Sequence, residues 1–76
     1  MKTVRIKLPL AENVKAFVNV VSKYPYDMDL RAGRYVVDAK SILGILSLDL
    51  AKPIAMEIYA DECADLMADI QPFVAE

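Results

Sequence analysis

Ser41 has the clearest chemical potential in this sequence, because of the residues around it. It follows Lys40 and opens the run Ile42-Leu43-Gly44-Ile45-Leu46-Ser47-Leu48, apolar enough to be a short helix. A serine at a helix mouth has two uses. Its hydroxyl can accept from an orphan backbone N–H as an N-cap, worth about 1 kcal/mol. The same hydroxyl can be phosphorylated, which places about −1.5 to −2 charges where backbone N–H groups and the helix dipole favour an anion. Lys40 adjoins it and supplies a further positive charge. Cys63 is the single cysteine, so no internal disulfide can form, and no metal-ligand cluster accompanies it. It falls on an apolar stripe and reads as a buried small hydrophobe rather than a reactive thiol. The chain has no histidine. No catalytic residue, metal site or cofactor is expected, and the chain is not read as an enzyme.

The elements that position Ser41 follow from periodicity. Thr3–Leu8 alternates, with Val4, Ile6 and Leu8 on one side and Arg5 and Lys7 on the other, as in a half-buried strand. Pro9 closes it. From about Ala11 the spacing changes: Val14, Phe17, Val18 and Val21 make the stripe of an amphipathic helix ending near Tyr24-Pro25. Tyr26, Met28 and Leu30 alternate with Asp27, Asp29 and Arg31. The turn Arg31-Ala32-Gly33-Arg34 then returns the chain through Tyr35–Ala39, so residues 26–39 predict a hairpin. After Ser41, five large aliphatics (Ile42, Leu43, Ile45, Leu46 and Leu48) crowd into about two turns. So short a helix buries one face, so some of the five must lie near the surface. Ile54, Met56, Ile58 and Ala60 alternate in a fourth strand. Asp61 is the expected N-cap of a last helix with the stripe Cys63, Leu66, Met67 and Ile70, stopped or kinked at Pro72. The order βαββαβα predicts an α+β open-faced sandwich: a four-stranded, mostly antiparallel sheet with three helices on one face.

Seventy-six residues suit one domain, and a 57% hydrophobic content suits a core rather than disorder. Met1–Leu10 interleaves basic with apolar residues, unlike a signal peptide, and no apolar run is long enough to span a membrane. A cytoplasmic protein without membrane contact is expected. Charge is unevenly placed. Residues 1–52 hold nine bases against five acids, a net +4, whereas residues 53–76 hold six acids and no base, a net −6. The plain reading is solvated surface with an acidic last helix. The sharper one is a basic region that meets an acidic or phosphorylated partner. Nucleic acid is excluded as a partner class by the acidic balance and the lack of basic–aromatic interleaving.

Lys40-Ser41-Ile42-Leu43-Gly44-Ile45-Leu46-Ser47-Leu48 resembles the second helix of HPr, the histidine-containing phosphocarrier of the bacterial sugar phosphotransferase system. Ser22-Lys23-Tyr24 is similar to the end of that family's first helix. Leu48 and Ala51-Lys52 resemble the exit from its second, and the match runs to Met56 without a gap. The strand and helix order agrees throughout. The resemblance implies that Ile42, Leu43 and Leu46 face solvent, where HPr docks its partners, while Ile45 and Leu48 face the core. It also places Leu10 where the family has its phosphorylated histidine, Glu12 where it has an arginine, and Asn13 where it has a proline; only Ala11 is retained. In that respect the chain is similar to the catabolite-repression HPr-like protein, which lacks the histidine and keeps the serine. In low-GC Gram-positive relatives a dedicated kinase phosphorylates this serine, and the product binds a transcriptional repressor.

The resulting expectation is a non-catalytic HPr-like regulatory or interaction domain that cannot carry phosphohistidine. Ser41 is its regulatory phosphorylation candidate, and Ala11, Glu12, Lys15, Lys40, Ile42, Leu43 and Leu46 form its partner-binding face. The partner would be a protein, with a kinase, a transcriptional regulator or a second copy as candidates. The alternatives are a phosphocarrier component proper, or a constitutive dimer or scaffold built on the helix patch.

Overall fold

The computed structural model describes residues 1–75. Eight elements follow in order: β1 (Lys2–Ile6), α1 (Ala11–Val21), β2 (Met28–Ala32), β3 (Tyr35–Asp38), α2 (Ile42–Leu46), β4 (Ile54–Ile58), α3 (Ala64–Asp69) and a 3-10 turn, Gln71–Phe73. The strands form one sheet in the order β1-β4-β2-β3, and every pairing is antiparallel. The last strand in sequence therefore enters between the first two to be made. Ile54, Met56 and Ile58 are accordingly all buried.

The core lies between one sheet face and the helices. α1 contributes Val14, Phe17, Val18 and Val21, the stripe expected from its spacing. Ile6 and Leu8 are fully buried too, although β1 ends at Ile6. Beyond Ile6 the chain leaves β4 and runs beside the C-terminal segment, with Lys7 N–H donating to the Phe73 carbonyl at 2.8 Å. Hydrophobic alternation continued past the ladder here because the core continues past it.

The hairpin turns on Gly33, at φ 61°, with Ala32 opposite Tyr35. The positive φ is confined to the first of the two turn residues, the pattern of a type II′ turn, which a glycine adopts without strain.

α2 is one turn and a half rather than two. The Ser47 N–H bonds back to the Gly44 carbonyl at 3.2 Å and its Oγ–H donates to the same carbonyl at 2.6 Å, which closes the helix after Leu46. Gly44 sits where α2 crosses β3. A methyl group there would lie 3.1 Å from the Val37 Cβ and 3.2 Å from the Ser41 Oγ, close enough that a side chain would push these neighbours back by a few tenths of an ångström.

The start of the last helix corrects the sequence expectation. α3 begins at Ala64 with Cys63, not Asp61, at the capping position. Asp61 instead faces the N-terminal ammonium at 3.3 Å. Cys63 is 1% exposed, and its backbone (φ −142°, ψ 38°) is not helical, so the helix starts only after it. Among the described residues no helix is long and apolar enough to cross a membrane.

Candidate functional site

Ser41 caps α2. Its backbone is extended (φ −103°, ψ 105°) and its Oγ accepts from the Gly44 N–H at 3.2 Å. The segment it opens, Ile42 to Leu48, divides its aliphatic residues sharply. Ile45 is fully buried and Leu48 nearly so, whereas Ile42, Leu43 and Leu46 are 37%, 83% and 42% exposed. A five-residue helix presents one face to the core, and Gly44 against Val37 fixes which face that is.

The residues expected around this patch fall into two groups. Ala11, Glu12 and Lys15 are exposed on α1, which packs against α2. Lys40 is half-buried, and its ammonium donates to the Tyr24 carbonyl at 2.7 Å. Its charge therefore holds the loop after α1 rather than standing free beside Ser41. Leu10 precedes α1 as its capping residue and is 56% exposed. With no side-chain acceptor of its own, it is served by Asn13, whose Oδ1 accepts from the Leu10 N–H at 3.0 Å. That reach from the third helical position is the second half of a capping box, whose first half is missing because leucine has no acceptor.

One concavity of about 330 Å3 opens beside Asp29, Asp38 and Tyr59. Another of about 430 Å3 opens beside Arg34, Tyr35 and Lys52. Neither is lined by Ile42, Leu43 or Leu46. An exposed apolar patch outside both concavities suits a protein surface better than a small molecule.

Two tyrosines did more than periodicity indicated. Tyr24 and Tyr26 stack at 6.0 Å between ring centroids, with 12° between their planes. The Tyr24 hydroxyl donates to the Asp69 carboxylate and the Tyr26 hydroxyl to Asp65 at 3.0 Å, so the acidic face of α3 is pinned to the loop after α1. Donation to Asp69 is the main reason the Tyr24 pKa is pushed from 10.0 up to about 12, with desolvation and the charges of Asp69 and Asp65 adding to it. Tyr26 is raised chiefly by its bond to Asp65, and Tyr59 chiefly by its bond to Asp29. The stability linked to Tyr24 is complete below pH 10, where folded and unfolded chains both hold the proton. It is lost between pH 10 and about 12, because the unfolded state releases its proton first. Tyr24→Phe should therefore flatten the fall in melting temperature across that interval, relative to wild type. An unchanged pH profile would remove Tyr24 as the cause.

On the open face of the sheet, Arg31 bonds Glu57 through Nε at 3.4 Å and a terminal nitrogen at 3.2 Å. Glu57 accordingly raises the Arg31 pKa. This pair is partly exposed, so screening by water leaves it only a small stabilising contribution. Among the described residues no group of three or more metal-ligating side chains converges.

Comparisons with known proteins agree with this architecture. The family described as "PTS HPr component phosphorylation site" matches residues 2–76. Among solved structures, HPr-C-His from Thermoanaerobacter tengcongensis is similar at a TM-score of 0.76 and 25% identity, covering 92% of this chain and 86% of that one. The phosphocarrier protein HPr from Bacillus anthracis str. Ames shares the fold at a TM-score of 0.72 and 23% identity, covering 97% of this chain and 94% of that one. A search among curated proteins finds no significant match. The family match spans nearly the whole sequence, and its fold is the one described above: this chain belongs to the HPr family of the phosphotransferase system.

Proposed function

We propose that this HPr-family chain is a non-catalytic interaction and regulatory module. It docks a protein partner through Ile42, Leu43 and Leu46, and it cannot carry phosphohistidine. The observation that supports this reading is an exposed apolar trio on α2 in a chain with no histidine. Phosphoryl carriage needs a nitrogen nucleophile that titrates near neutrality, with cationic or N–H support for the phosphate. Leu10 offers no nucleophile, and the Glu12 carboxylate repels a phosphate.

The test is to mix the protein with the first enzyme of the phosphotransferase system and labelled phosphoenolpyruvate. No acid-labile label should remain on this chain. Label passing to it through the phosphorylated enzyme would overturn the proposal and establish a phosphocarrier component, the reading that the family description favours.

Ser41 would regulate the docking face. It adjoins the trio, and a phosphate there would edge an apolar patch with negative charge, favouring a different partner, such as a transcriptional regulator. With only five residues in α2, the dipole contribution to stability is small, and the change of surface is the main effect. Ser41→Ala should lose the cap and about 1 kcal/mol, whereas Ser41→Asp keeps an acceptor for the Gly44 N–H and should melt at or above the alanine variant. If the aspartate variant melts well below it, the site does not tolerate an anion, and Glu12 is the first suspect.

A further inference from the structure

The two edges of the sheet are treated differently. Along β1 the outer side is occupied by the chain's own C-terminal segment: Ala75 N–H donates to the Arg5 carbonyl at 2.8 Å, and Ile6 bridges Val74. Along β3, no strand among the described residues pairs with the outer side. The Ala39 N–H donates to the Met28 carbonyl at 3.0 Å, which fixes the alternation. Tyr35 and Val37 bond inward to β2, while the N–H groups of Val36 and Asp38 and the carbonyl of Val36 point outward. Proteins usually blunt such an edge with lysine, proline or a bulge. This one carries Tyr35 and Val36, 71% and 44% exposed.

We propose that β3 is a self-association edge, where two copies pair antiparallel about a two-fold axis through Val36 and join their sheets into one. The occupant is identified by self-complementarity. In Arg34-Tyr35-Val36-Val37-Asp38, that axis sets Val36 against Val36, each Tyr35 against a Val37, and each Arg34 against an Asp38. These are an apolar pair, two aromatic–β-branched pairs and two opposite-charge pairs, all favourable across strands. Both charged groups are available. Among the described residues Arg34 makes no ion pair, and the Asp38 carboxylate accepts only the Lys40 N–H, at 2.9 Å. Registers centred nearer the C-terminal end of the strand fare worse. An axis at Asp38 opposes two carboxylates, and one at Val37 sets each Val36 against an Asp38. A two-fold contact uses each off-axis pair twice, so the charge pairs of the matched register, and the Val36–Asp38 mismatch of the Val37 register, each count double. The seam is short, five residues a side, so the dimer is a concentration-dependent one.

This edge is separate from the docking face on α2, and charge reversal tells them apart. Sedimentation equilibrium of the full chain should give a monomer–dimer equilibrium. Arg34→Asp alone, or Asp38→Arg alone, should each raise the dissociation constant about tenfold or more, since both copies then oppose like charges. An equimolar mixture of the two variants should associate again, because every contact once more joins an acid to a base. Asp38→Arg also removes the acceptor for the Lys40 N–H, so melting curves accompany it; Arg34→Asp has no such contact to lose. Amide exchange at Val36 and Asp38 should slow as protein concentration rises. A wild type that stays monomeric overturns the proposal, as does a mixture that fails to reassociate. So does a dimer indifferent to both reversals but abolished by Leu43→Ser with Leu46→Ser, which would place the contact on the helix patch.

Discussion

Ile45→Ala should lower the melting temperature by about 10 °C or more, while Leu43→Ser combined with Leu46→Ser should move it by only a few degrees. All three residues belong to the same five-residue helix, so helix propensity does not separate them. Burial does: Ile45 is fully buried, and Leu43 is 83% exposed. Truncating a buried isoleucine costs about 2–5 kcal/mol, from lost transfer energy and the cavity left behind. A chain of this length has only about 4–11 kcal/mol of total stability. In a domain of this size each kcal/mol corresponds to about 4–8 °C. The serine pair removes surface that water already touches, so folding loses little, whereas association with a protein partner at this face should disappear. Thermal melts beside a binding measurement distinguish the two. A large loss of stability in the serine variant would show that Leu43 and Leu46 serve the core, and the docking reading would fall with it.

Phe17→Ala should cost about 3–5 kcal/mol in urea denaturation, the largest loss expected from any single truncation here. Phe17 is fully buried in α1 and meets Phe73 edge-on, with centroids 5.5 Å apart and planes at 86°. Phe73 belongs to the 3-10 turn whose backbone holds Lys7, just before Val74 and Ala75 reach β1. The ring pair therefore couples the middle of α1 to the segment that occupies the β1 edge. Phe73→Ala, at a half-buried position, should cost less. A double-mutant cycle should return a coupling of about 0.5–1.5 kcal/mol beyond area burial. Strictly additive losses would mean that the two rings stabilise the fold independently.

Local pattern was enough to identify most elements, since periodicity depends only on near neighbours. The stripe Val14, Phe17, Val18 and Val21, the alternation of Ile54, Met56 and Ile58, the turn at Gly33 and the cap at Ser41 are all found where the spacing puts them. Of the five large aliphatics between Ile42 and Leu48, local sequence could say only that some are exposed. The likeness to HPr implied which, and the approach of Gly44 to Val37 supplies the reason. Other features are pairings across long separations, about which periodicity is silent. Tyr24 finds Asp69, Tyr26 finds Asp65, and Lys40 turns from Ser41 to the Tyr24 carbonyl. Asp61, a credible cap by type and position, goes instead to the N-terminal ammonium, and the helix starts at Ala64 because the Cys63 backbone is not helical. The strand order was decided in the same way. Alternation identifies the face a strand buries but not its neighbours, and only the packed core placed β4 beside β1 and left β3 with an open edge.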